Sequence, residues 1–220
     1  MTNRNQFVTE LENLKLELIQ MGDLVIANLN DGFSSFFTLD LKLAEQTIKN
    51  DKIVNATEQK IEKTCLRIIM KEQPVASDLR LITAVLKMIT DLERIGDHAA
   101  DISKMLIFME KTKQIYPISS FEPMAETCNM MIKNALQSFV NEDLVKANFV
   151  IQTDDIVDDL FEKIKRTVSE AIRKGEIDAD YAIYAMMVAK YLERIADHAV
   201  NISEWVIYSV TGEHVNTPDL

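Results

Sequence analysis

Leu92-Glu93-Arg94-Ile95-Gly96-Asp97-His98-Ala99-Ala100-Asp101-Ile102-Ser103 returns one hundred positions later as Leu192-Glu193-Arg194-Ile195-Ala196-Asp197-His198-Ala199-Val200-Asn201-Ile202-Ser203. Nine of the twelve residues are identical, and four of those nine are ionisable: a Glu, an Arg, an Asp and a His at fixed spacing. Packing alone rarely restricts such residues so tightly, so the chain reads as an internal duplication that carries one polar device twice. A second correspondence supports this: Asp51-Lys52-Ile53-Val54-Asn55 matches Asp154-Asp155-Ile156-Val157-Asp158 at an offset of 103.

Outward from these motifs, helical periodicity is almost unbroken. It predicts helices over residues 5–37, 39–71 and 75–113, with Pro74 marking the break before the third. Gly22 and Gly32 weaken the first helix without a full turn signal. The second half repeats the scheme over 122–140, 142–174 and 179–210, and Gly175 after Arg173-Lys174 is a helix C-terminal signal. The fold class expected is all-α: six long helices forming two tandem, pseudo-symmetric three-helix bundles, 1–113 and 122–210. A linker, 114–121, joins them, and a frayed tail, 211–220, follows. Helices this long would extend ~45 Å or more at 1.5 Å per residue, so the bundles should be rods.

Composition narrows the function. Of 220 residues 47% are apolar and only nine are Gly or Pro, which excludes disordered and collagen-like classes. A net charge of −11 argues against wrapping nucleic acid and favours cations or basic partner surfaces. It also disfavours direct capture of a bare anion such as phosphate unless a metal or an Arg cluster reverses the local sign. No secretory signal is visible in Met1–Phe7, and the longest apolar stretch, Tyr181–Ala189, falls short of the ~18 residues that span a bilayer. A cytosolic protein without membrane insertion is expected. Cys65 and Cys128, one in each half with no CxxC and no His at ligand spacing, read as reduced core thiols.

The candidate site follows from helix geometry. At about 100° per residue, Leu92, Ile95, Ala99 and Ile102 form one core stripe, and Glu93, Asp97 and Asp101 fall roughly 140°, 180° and 140° from its middle. These carboxylates are expected to point out of the bundle, which excludes an inward di-metal site built from Glu-x-x-His pairs. Acids at i, i+4 and i+8 repel one another, so a plain solvated face is a poor account of a row that occurs twice. The second helix of each half adds a matching row, Asp51 with Asn55 and Asp154 with Asp158. If helices two and three pack side by side, these rows meet Glu93, Asp97 and Asp101 in the first half and Glu193, Asp197 and Asn201 in the second. Oxygen donors so arranged suit hard or borderline cations. His98 and His198 sit on the flank, as carboxylate partners or as nitrogen ligands. Arg94 and Arg194 read as ion-pair partners of nearby acids such as Asp91 or Glu93.

Gln73-Pro74-Val75-Ala76-Ser77-Asp78-Leu79-Arg80-Leu81-Ile82-Thr83, followed by Asp91-Leu92-Glu93-Arg94-Ile95-Gly96-Asp97-His98-Ala99, resembles the signature of the PhoU family of phosphate-uptake regulators. The resemblance covers almost the whole chain. It implies a cytosolic, non-enzymatic repressor of the phosphate-starvation response, acting at the inner face of the membrane through two partners. These are the ATPase of a phosphate ABC transporter and the sensor histidine kinase of a two-component system. It also implies iron or zinc, singly or as multinuclear clusters, on the acidic rows. Asn55 and Asn201 stand where the other copy has Asp158 and Asp101, so the two sites should differ in affinity or nuclearity. A homodimer fits this class, although periodicity alone does not separate a dimer stripe from core. Two other readings stand beside the regulator: a carboxylate-bridged metalloenzyme, for which no nucleophile with an adjacent base is found, and a metal-free helical scaffold.

Overall fold

In the computed structural model, which describes residues 2–215, the chain forms six helices: α1 (Thr2–Thr38), α2 (Leu41–Glu72), α3 (Ser77–Thr112), α4 (Phe121–Asn141), α5 (Leu144–Lys174) and α6 (Ala179–Thr211). No strand occurs among the described residues. Three helix starts are capped by aspartates. The Asp40 carboxylate accepts from the backbone N–H groups of Lys42 and Leu43 (3.0 and 3.1 Å), Asp143 from Lys146 (3.0 Å) and Asp178 from Tyr181 (2.7 Å). Each cap satisfies donors that helix geometry leaves over and contributes about 1 kcal/mol. Helices α2, α4, α5 and α6 end in left-handed residues, Gln73, Glu142, Gly175 and Gly212.

The duplication extends to the connections: 39–40 and 142–143 join the first two helices of each half, and 73–76 and 175–178 the last two. Within each half the three helices pack pairwise. Leu18 and Met21 of α1, Val54 and Ile61 of α2, and Leu92 and Ile95 of α3 are fully buried, as are Ile132, Val157, Ile164 and Ile195 in the second half. Each such side chain contributes about 1.5–3 kcal/mol. Cys65 and Cys128 lie in these cores, where burial pushes the Cys65 thiol up to about 12 and Cys128 higher still, so both are poor nucleophiles.

The two expected three-helix bundles are both present. They lie side by side, because α3 packs along α6 and α1 meets α4. Where α1 and α4 cross, Gly22 makes room for Leu136, whose Cδ1 would lie 2.5 Å from a Cβ at that position. Asn129 Nδ2 donates to Asn30 Oδ1 at 2.7 Å, and Lys15 pairs with Glu142 at 3.2 Å along the same contact. Ser103 and Ser203 are buried, and each donates its hydroxyl at 3.0 Å to the carbonyl four residues back, Ala99 and Ala199. That member of the repeated motif therefore serves packing. Of the expected tail, Gly212 caps α6 and the His214 ring stacks on Tyr208 at 4.2 Å, while 216–220 lie outside the described residues.

Candidate functional site

Because α3 touches α1, α2 and α6, the face opposite its core stripe is not a free solvent face. Glu93, Asp97 and Asp101 are half-buried on the side of α3 away from its core stripe, and Glu93 and Asp97 line a seam against α2, the meeting of rows expected if helices two and three lie side by side. Gly96 lets α2 approach closely: a Cβ there would lie 3.0 Å from Val54 Cγ1 and 3.5 Å from Asp51 Oδ1. From α2, Asn55 Nδ2 donates to Asp51 Oδ2 at 3.3 Å. Asp51 Oδ1 and Asn55 Oδ1 are buried without a hydrogen-bond partner among the described residues. Burial first, and the facing Asp97 next, push both Asp51 and Glu93 above the usual carboxylate range.

Basic side chains partly balance this seam. Arg94 lies 3.5 Å from Glu93 and 3.1 Å from Asp97. The His98 ring and Lys104, whose Nζ is 2.8 Å from Asp101 Oδ1, hold Asp101 below its usual range. Lys104 thus serves Asp101 as Arg94 serves Glu93 and Asp97. Glu58 of α2, absent from the sequence reading, adds its charge to the field at Glu93 and is itself pushed up by burial and by Glu62.

The second seam sets Asp154 and Asp158 of α5 against Glu193 and Asp197 of α6. Burial, then Asp197, Asp158, Asp155 and Glu193, push Asp154 up to about 6, and burial and Glu193 raise Asp197. Lys190 pairs with Glu193 and lies 5.8 Å over the Phe161 ring, which stands where the first half has Glu58.

Asn201 takes part in a different contact from the one expected. Its Nδ2 donates to Asp91 Oδ1 at 3.1 Å, and His198 Nδ1 bonds the same oxygen at 2.8 Å. His98 is only 8% exposed and stacks on Tyr191 (5.5 Å) and on His198 (5.7 Å). Rather than bordering an open face, the histidines sit on the contact between the halves. Asp91 and Tyr191 occupy equivalent positions in the repeat, so across this contact His198 meets a carboxylate and His98 an aromatic ring.

The donor set of both seams is all oxygen, which suits hard or borderline cations, and the unpartnered oxygens of Asp51 and Asn55 fit such a ligand. Among the described residues, no group of three or more His, Cys, Asp or Glu side chains stands arranged to hold an ion. An ion would therefore draw these carboxylates together by side-chain rotation.

Fold and site together define a class: a duplicated all-α protein whose two bundles each close over a carboxylate-lined seam. A family model described as the PhoU domain matches the chain twice, over residues 18–106 and 121–206. The chain is 33% identical to the phosphate-specific transport system accessory protein PhoU homolog 1 of Thermotoga maritima, covering 98% of this chain and 93% of that one. It is 34% identical to the phosphate-specific transport system accessory protein PhoU of Escherichia coli K12, with 98% and 90% covered. The crystal structure of the phosphate transport system regulatory protein PhoU from Streptococcus pneumoniae superposes with a TM-score of 0.89 at 27% identity, over 96% of this chain and 100% of that one. That of PhoU from Pseudomonas aeruginosa gives 0.89 at 33% identity, over 94% and 100%. The chain belongs to the PhoU family. No helix among the described residues is long and apolar enough to cross a membrane.

Proposed function

We propose that this protein is a negative regulator of phosphate uptake and of the phosphate-starvation response, an adaptor between the ATPase of a phosphate ABC transporter and a sensor histidine kinase. The names of its relatives, accessory or regulatory proteins of phosphate transport, support the regulatory part. The reading assigns the chain no catalysis of its own.

The observation that carries the adaptor's switch is the pair of seams in which carboxylates from two helices face each other and are pushed above their usual range. Asp51, Asn55, Glu93 and Asp97 would hold a cation in the first seam, with Asp101 released from Lys104. Asp154, Asp158, Glu193 and Asp197 would hold one in the second, leaving Asn201 on Asp91. A bound iron or zinc ion supplies the positive charge that like-charged carboxylates lack, and binding of this kind stabilises the folded form by mass action. Arg94, Lys104 and Lys190 hold parts of the rows by ion pairs and yield them as an ion enters.

Elemental analysis of protein purified without chelator, for wild type and for Glu93→Ala/Asp97→Ala, tests this, alongside a reporter of the starvation response in cells. We expect a transition metal at one or more equivalents per chain, reduced in the variant, and a response that is no longer repressed at high phosphate. No metal in either protein after reconstitution would remove the cation from the proposal. Unchanged repression by a stably folded variant would remove the row from it.

A further inference from the structure

The two halves differ most in charge on the outer faces of α2 and α5. In α2 the buried residues Thr47, Val54, Ile61, Cys65 and Ile68 define the inner side. The opposite side, from residue 49 to 71, carries Lys49, Lys52, Lys60, Lys63, Arg67 and Lys71 and no acid. Asp51 and Glu58 face the α3 seam, Glu62 lies at the edge, and Glu45 precedes the stretch. At the matching positions of α5, offset by 103, stand Asp155, Asp159, Glu162 and Glu170 among Lys163, Arg166, Arg173 and Lys174, so that face is neutral overall. A cationic helix face in a chain of net charge −11, absent from its duplicate, does not follow from bundle packing, because both helices pack alike.

Glu17 of α1 pairs with Lys60, Glu10 with Arg67 and Lys71, and Glu72 at the end of α2 with Lys71. No ion pair among the described residues engages Lys49, Lys52 or Lys63. Aliphatic side chains are interleaved with the cations and strongly exposed: Ile53 53%, Leu66 47% and Met70 75%. Lys60, Lys63 and Arg67 stand one turn apart on this face, Lys60 and Arg67 held by Glu17 and Glu10 and Lys63 free of any ion pair among the described residues.

We propose that the outer face of α2 is a docking surface for an anionic lipid bilayer. The cations extend over ~33 Å along one continuous helix, a row that can lie along a membrane plane. Basic residues with interleaved aliphatic ones are the pattern of surfaces that lie in the headgroup region without spanning it. Leu66 and Met70, whose matching positions in α5 are Ser169 and Arg173, add an exposed apolar component that an acidic protein segment, met by the charges alone, would not use. Acids on the far side of the bundle lie beyond the ~10 Å over which salt leaves charge effective, so the net charge does not cancel the local attraction. This inference is independent of the cation reading of the seams.

Co-flotation of the full chain with phosphatidylcholine vesicles, with and without phosphatidylserine, tests it, with helicity and gel filtration confirming that each variant is folded. We expect binding only to the phosphatidylserine vesicles, lost at high salt. The variant Lys49→Gln/Lys52→Gln/Lys63→Gln, which breaks no ion pair, should lower the partition coefficient on the order of 100-fold. Removing three cations from the outer face of α5 instead, Lys163→Gln/Arg166→Gln/Arg173→Gln, should leave it within about threefold. Met70→Ser should weaken binding without changing its salt dependence. Absence of co-flotation, or equal loss from the α2 and α5 variants, overturns the proposal. Failure to bind vesicles together with binding of polyglutamate that the α2 variant abolishes also overturns it, and assigns the face to an acidic protein partner.

Discussion

At the residue scale, Asp154 is the most perturbed carboxylate of the seams, raised from 3.8 to about 6. Because its folded value exceeds its unfolded one, the proton stabilises the fold. That contribution is complete below the unfolded value and is lost as pH rises through about 6. Protein stripped of metal should therefore melt higher at about pH 5 than at about pH 7, and Asp154→Asn should raise the pH 7 melting temperature and flatten this slope. In metal-loaded protein the same substitution should lower it, because a ligand is lost. A lower melting temperature for the variant under chelation would show that repulsion does not strain this seam. Most seam residues were legible in the sequence because they occur twice. Glu58 escaped for the same reason, since Phe161 occupies its place in the other copy.

At the element scale, helix limits are encoded locally and were readable to within a few residues, since caps and breakers act on their own turns. Asp143, Asp178 and Gly175 do so at the positions where their chemistry is needed. Gln73 is one of several left-handed residues at helix ends that are not glycine. It is exposed, adopts φ 47° and ψ 55°, and precedes Pro74, whereas Gly175 fills the equivalent place in the repeat. A side chain in the left-handed region costs about 1–2 kcal/mol, part of which a glycine loses again through the freedom of the unfolded chain. Gln73→Gly should stabilise the protein by about 0.5–1 kcal/mol, seen as a higher urea midpoint at unchanged slope. A lower midpoint would mean that the turn is not strained. The charge of α2 belongs to this scale too. Its cations were in plain view in the sequence, but only the buried positions of the helix show that they share its outermost face.

At the scale of the whole molecule, the halves are joined by their third helices. The contact includes the stacked His98 and His198 rings, Tyr191, and Asp91 bonded to both His198 and Asn201. Exposing that contact would leave the buried His98 against water and the bonds to Asp91 unmade, so neither half should unfold while the other persists. Thermal and urea unfolding followed by circular dichroism and by Trp205 fluorescence should coincide in one transition. Trp205 lies in the second half, so two separated transitions would show that the bundles are independent.

What the sequence determined by itself is everything that acts within a helix or is stated twice: the all-α class, the helix limits, the duplication and the acidic rows. These follow from neighbours a few positions apart, whose relation a 3.6-residue period fixes in advance. What only the tertiary structure decided is how the faces were used. Each third helix has apolar or small residues on more than one side, and one period does not say which side meets the home bundle and which meets the other half. Packing of α2 along α3 and of α5 along α6 made the rows half-buried seams, and that choice moved the histidines and Asn201 onto the contact between bundles. It arises from packing between residues about one hundred positions apart, Asp91 with His198 and His98 with Tyr191, which no local pattern specifies.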